Sequence, residues 1–81
     1  MKIKVLFFAT LKERAGTKQI ELEVVDGLRV AELKQRLAEE FPILTDLMPT
    51  ALVSVNREFA FDADVLPKDA EVALFPPVSG G

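Results

Sequence analysis

Hydrophobic residues along the chain recur with two spacings. Over residues 2–8, Ile3, Val5 and Phe7 point one way, and Leu6 and Phe8 point the other. Period two predicts a strand, and apolar groups on both faces predict a central one. Residues 18–24 alternate more cleanly: Ile20, Leu22 and Val24 face inward, and Glu21 and Glu23 face water. Asp26 and Gly27 then supply a turn. Between these strands, Lys12, Glu13 and Arg14 make a charged segment ending at Gly16, expected to be a loop with at most a helical turn. The spacing changes at Val30. Val30, Leu33, Leu37 and Phe41 recur at steps of three, four and four, which places them on one face of a helix. Arg29 stands where a capping Ser or Thr is expected and cannot accept a bond from the free N–H groups. Phe41 and Pro42 end the helix.

The second half of the chain predicts short strands. Residues 43–50 read as a loop between Pro42 and Pro49, with Leu44, Leu47 and Met48 covering one end of the core. Residues 51–55 form a third strand, Asn56 and Arg57 a tight turn, and residues 58–61 a fourth strand. Residues 62–70 are a polar connection pinned by Leu66 and Pro67, and residues 71–75 are the last strand. The predicted order is β-β-α-β-β-β. It indicates an α+β fold, a β-grasp with a mixed sheet and one main helix packed across it. A ferredoxin-like arrangement requires a second long helix, which no other segment supports.

Composition narrows the function. The 81 residues contain no Cys, His, Trp or Tyr. No thiol nucleophile, no Cys/His metal or iron–sulfur site and no imidazole proton shuttle is possible. Thirteen acidic against ten basic side chains give a formal net charge of −3, which argues against a general nucleic-acid binder. The chain is 49% hydrophobic and 28% charged, a balance that excludes disorder. The apolar run at residues 5–9 is far short of the ~20 residues of a membrane span, and no cleavage-site pattern follows it. A cytoplasmic protein with no membrane or nucleic-acid partner is expected. Asp62, Asp64 and Asp69 lack the ordered pattern of a calcium loop, so no metal is expected. Lys12, Arg14, Lys34, Arg36 and Lys68 read as solvated surface, and no Gly-rich phosphate loop accompanies them.

The tail carries the chemistry. After a domain over residues 1–75, residues 76–81 read Pro76, Pro77, Val78, Ser79, Gly80 and Gly81. The two prolines end sheet pairing and favour an extended, flexible arm, which spans about 20 Å at full stretch. Gly80 and Gly81 lack Cβ atoms, so a narrow channel can admit them. The group delivered to the end of that channel is a carboxylate. ATP can convert it to an acyl-adenylate, and a sulfur donor can then leave a thiocarboxylate on Gly81.

The closing Phe75, Pro76, Pro77, Val78, Ser79, Gly80 and Gly81, with the opening run of residues 2–9 and the hairpin at Val55, Asn56 and Arg57, resembles the small, sulfur-carrier subunits of molybdopterin synthase. These belong to the ubiquitin-like β-grasp proteins. The chain departs from their pattern at Ala70, often Gly, and at Arg29, commonly Thr. The resemblance implies that an E1-like adenylyltransferase activates Gly81 with ATP and magnesium. A persulfide donor then supplies sulfur, with acyl-adenylate and thiocarboxylate as transient states and no stably bound cofactor. It further implies a heterotetramer of two small and two large catalytic subunits, in which the thiocarboxylate converts cyclic pyranopterin monophosphate to molybdopterin. Phe7, Phe59 and Phe75 would form an apolar docking patch beside the tail, with Phe8 replacing Phe7 if the strand phase is off by one. Two other readings stay open. One is a different Gly-Gly carrier, either a thiamine-pathway donor or a protein modifier. The other is a noncatalytic adaptor.

Overall fold

Strand β1 (Lys2–Phe7) organises the molecule. In the computed structural model, which describes residues 1–77, its Ile3, Val5 and Phe7 are buried, whereas Lys2 and Lys4 are exposed. Strand β2 (Gln19–Glu23) runs antiparallel to it, with Ile3 opposite Leu22 and Val5 opposite Ile20. This pairing extends past the strand ends, as the Phe7 N–H donates to the Lys18 carbonyl and the Val24 N–H to the Met1 carbonyl. On the other side of β1 lies β5 (Glu71–Phe75), parallel to it, with Val5 opposite Val72 and Phe7 opposite Leu74. Strand β3 (Leu52–Val55) is antiparallel both to β5 and to β4 (Glu58–Ala60). The sheet order is β2-β1-β5-β3-β4. The central parallel pair and the crossing helix define a β-grasp.

Helix α2 (Val30–Glu40) covers one sheet face, burying Val30, Leu33 and Leu37 against Val5, Phe7, Val53, Val72 and Leu74. Phe41 meets the Phe7 ring edge to face, with centroids 5.5 Å apart. The helix start shows how the fold manages without a Ser or Thr cap. Glu32 accepts the Arg29 backbone N–H at 2.9 Å. The Val30 and Ala31 N–H groups donate to the carbonyls of Asp64 and Asp62, and the Arg29 guanidinium to that of Ala63. Orphan donors of the first turn are therefore satisfied by the connection after β4.

The largest departure from the predicted elements lies between β1 and β2. Residues Ala9–Ala15 form helix α1 rather than a loop. Leu11 is fully buried and Ala15 packs on the core four residues later, a spacing masked by the charged residues between them. Gly16 closes the helix in the left-handed conformation, its N–H donating to the Lys12 carbonyl. The loop after α2 contains a 3₁₀ turn, Pro42–Leu44, and buries Leu44 and Met48 as expected. The turn before β5 places its positive φ at Asp69 (56°) and leaves Ala70 fully buried. Lys34 is not simply solvated, because it pairs with Asp62 at 3.0 Å. Asp64 accepts the Phe61 N–H at 2.7 Å, a turn-forming role.

Candidate functional site

The sheet face away from α2 has no covering layer among the described residues. Strand alternation sends Leu6 and Phe8 from the β1 side, Ala73 and Phe75 from β5, Leu52 and Ser54 from β3, and Phe59 from β4 toward it. Register builds these into rows. Leu6 lies opposite Ala73, Ala73 opposite Ser54, and Ser54 opposite Phe59. In the next row Leu52 lies opposite Phe75. The small side chains of Ala73 and Ser54 leave a shallow depression, walled by Leu6, Phe8, Phe59 and Phe75 and bordered by Arg57 and Glu71. Phe59 is 75% exposed, Phe8 41% and Leu52 39%. Phe8, Leu52 and Phe59 thus leave apolar surface open to solvent around this depression.

The tail leaves from the same place. The Phe8 N–H donates to the Leu74 carbonyl at 3.1 Å, tying the end of β1 to the end of β5. Pro76 is half-buried and Pro77 exposed. The chain thus passes from a central strand directly into the two prolines at one edge of the apolar face. Among the described residues no cluster of three or more His, Cys, Asp or Glu side chains can hold a metal, and no helix is long and apolar enough to cross a membrane.

The ThiS family profile matches residues 5–81. The chain belongs to the ThiS family. Its similarity is strong to a molybdopterin synthase sulfur carrier subunit of Chlamydomonas reinhardtii, 36% identical with all of both chains covered. The protein of the same name from Mycobacterium tuberculosis is 34% identical, covering 100% of this chain and 99% of that one. The crystal structure of small archaeal modifier protein 1 from Haloferax volcanii superposes with a TM-score of 0.84 at 27% identity, over 95% of this chain and 98% of that one.

In this ThiS-family chain the expected aromatic trio is corrected at one position. Phe7 is 1% exposed, packed under α2 against Phe41. A side chain on the core face cannot also line the open one, so Phe7 is not part of the patch. Phe8 takes its place, stacked on Phe75. Phe59 and Phe75 do lie on the open face. Val78, Ser79, Gly80 and Gly81 lie outside the described residues. Sequence reasoning passed over Leu6 and Leu52. Leu6 was legible, since it shares the alternation phase of Phe8.

Proposed function

We propose that this chain is the sulfur-carrier subunit of a molybdopterin synthase, with Gly81 as its reacting residue. The observation that carries the reading is the end-to-end similarity to relatives bearing that name. The exit of Pro76 and Pro77 from a central strand beside an uncovered apolar face supports it. In this scheme the Gly81 carboxylate attacks the α-phosphorus of ATP on an E1-like enzyme, releasing pyrophosphate. The terminal sulfur of a persulfide displaces AMP, and a thiol then cleaves the resulting acyl disulfide. This leaves the thiocarboxylate and a new disulfide. Gly80 has no side chain to obstruct entry into either active site.

The large subunit then binds Phe8, Phe59 and Phe75 on the open face and accepts residues 76–81 into its channel. Two carriers in turn supply the two dithiolene sulfurs of molybdopterin, within a complex of two small and two large subunits. The pterin-site acids and bases belong to the large subunit, and this chain acts as a sulfur-donating cosubstrate. The proposed compartment is the cytoplasm. A second reading, attachment of Gly81 to a lysine of another protein, is favoured by the likeness to the archaeal modifier.

Intact mass of the chain, incubated with the activating enzyme, ATP and a sulfur donor, tests the scheme. Replacement of one oxygen by sulfur at Gly81 is expected. Formation of molybdopterin after adding large subunit and precursor separates the synthase role from protein modification. An unchanged mass with an enzyme active on its own carrier overturns the reading.

A further inference from the structure

Asn56 and Arg57 form the two-residue loop between β3 and β4, with φ of 51° and 73°. Two left-handed residues suit the twist of a tight hairpin, and the preferred pair is Asn followed by Gly. Asn56 fits that rule. Its N–H donates to the Glu71 carbonyl at 2.8 Å, and its Oδ1 accepts the Glu71 N–H at 2.9 Å. Arg57 breaks it, since a Cβ at this φ crowds the backbone. The fold gains nothing visible in return. Among the described residues the Arg57 side chain is exposed and makes no hydrogen bond or ion pair. Yet it borders the depression walled by Phe8, Phe59 and Phe75. A local strain with no internal compensation, placed at a binding surface, points outward.

The geometry points to Arg57 as a specificity-determining residue that pairs with a carboxylate of the large subunit at the rim of the apolar face. This rests on the partner assigned under the proposed function. The charge of the whole chain supports it. With ten basic against thirteen acidic side chains, cations are the scarcer charge on this chain. A cation held at the edge of the docking face makes the productive orientation the attractive one.

Arg57→Gly in the full chain separates the two roles of this residue, because stability and binding move in opposite directions. The isolated variant is expected to melt about 4 °C higher or more, through relief of the strained turn. Its Kd for the large subunit is expected to rise about tenfold at low salt, with the difference shrinking at high salt. Arg57→Lys, which keeps the charge, should retain most of the affinity. A lower melting temperature in Arg57→Gly shows that the arginine serves the fold and overturns the inference. Unchanged affinity at every salt concentration overturns it and leaves the sulfur-carrier reading intact. Failure of the unaltered chain to bind the large subunit overturns the partner assignment and the arginine's role together.

Discussion

The rings of Phe8 and Phe75 stack face to face, with centroids 4.6 Å apart and planes 15° from parallel. One residue earlier, Phe7 points through the sheet to the opposite face, into the core. Adjacent phenylalanines, the last of β1 and the residue that leads into α1, thus do different work. Phe7→Asp is expected to remove about 3–5 kcal/mol of packing before the cost of burying a charge. That is comparable with the total stability of roughly 4–12 kcal/mol for a chain this long. Phe8→Asp should lose the stack, about 0.5–1.5 kcal/mol, and the burial of a ring that is 41% exposed, while weakening binding to the proposed large subunit at least tenfold. Urea unfolding of both isolated variants, with titration of the folded one, checks the assignment. Cooperative unfolding of Phe7→Asp at the unaltered midpoint would contradict it.

The same logic applies to Phe75→Asp. Binding should suffer more than folding, because the ring is only half-buried on the open face. Loss of a cooperative transition in the isolated variant would place Phe75 in the core instead.

An added residue after Gly81 should abolish thiocarboxylate formation and leave the melting temperature unchanged. Deleting Gly81 should do the same. Intact mass and thermal melts on the same samples read both effects. Sulfur incorporation into an extended, unprocessed tail would rule out chemistry at the Gly81 carboxylate.

Ala9, the first residue of α1, has a φ of 51°. For a residue with a Cβ this conformation costs about 1–2 kcal/mol. Glycine relieves that strain but loses more freedom on folding. Ala9→Gly is therefore expected to gain about 0.5–1 kcal/mol, or a few degrees in Tm. Ala9→Val should lose stability, since β-branching resists the left-handed region. Paired calorimetric melts decide the order.

Glu32 replaces the missing cap of α2 by reaching back to the Arg29 N–H. It also places a negative charge at the positive end of the helix dipole. Glu32→Ala should cost about 0.5–1 kcal/mol. Denaturant titration measures it, and Glu39→Ala at the other end of the helix serves as the control.

The amino group of Met1 lies 3.0 Å from Glu23 and 3.6 Å from Asp26. Its pKa is raised above 8.0, chiefly by the hydrogen bond to Glu23, with burial opposing and the two carboxylate charges assisting. A raised folded-state pKa means that the folded chain holds this proton more tightly than the unfolded chain does. The stabilisation is complete below pH 8.0 and fades as the pH climbs through the folded value. Melting temperatures should fall with rising alkaline pH, and Glu23→Ala should flatten that slope. An equally steep slope in the variant would place the titration elsewhere.

Much of this architecture was readable from residue order. Period two in residues 2–8 and the steps Val30, Leu33, Leu37 and Phe41 reported buried faces, and burial is what periodicity encodes. Helix α1 was not readable. Its single buried turn rests on Leu11 and Ala15, too few apolar positions to set a period against Lys12, Glu13 and Arg14. The open face was half readable. Alternation shows that Phe7 and Phe8 face oppositely, but not which side α2 covers. The helix settles that by choosing the side of Val5 and Val72. Arg57 was read only as a turn residue, because the strain at its φ belongs to the backbone and the depression beside it to four strands.

Strand β5 carries the tail, and it lies between β1 and β3, hydrogen-bonded along both edges. A pull on the tail from within a partner's channel would act along the axis of this strand. The bonds on both flanks would then be loaded together in shear rather than opened singly like a zipper. If the chain acts as proposed, its body could draw the tail back out of a tight channel without β5 unravelling.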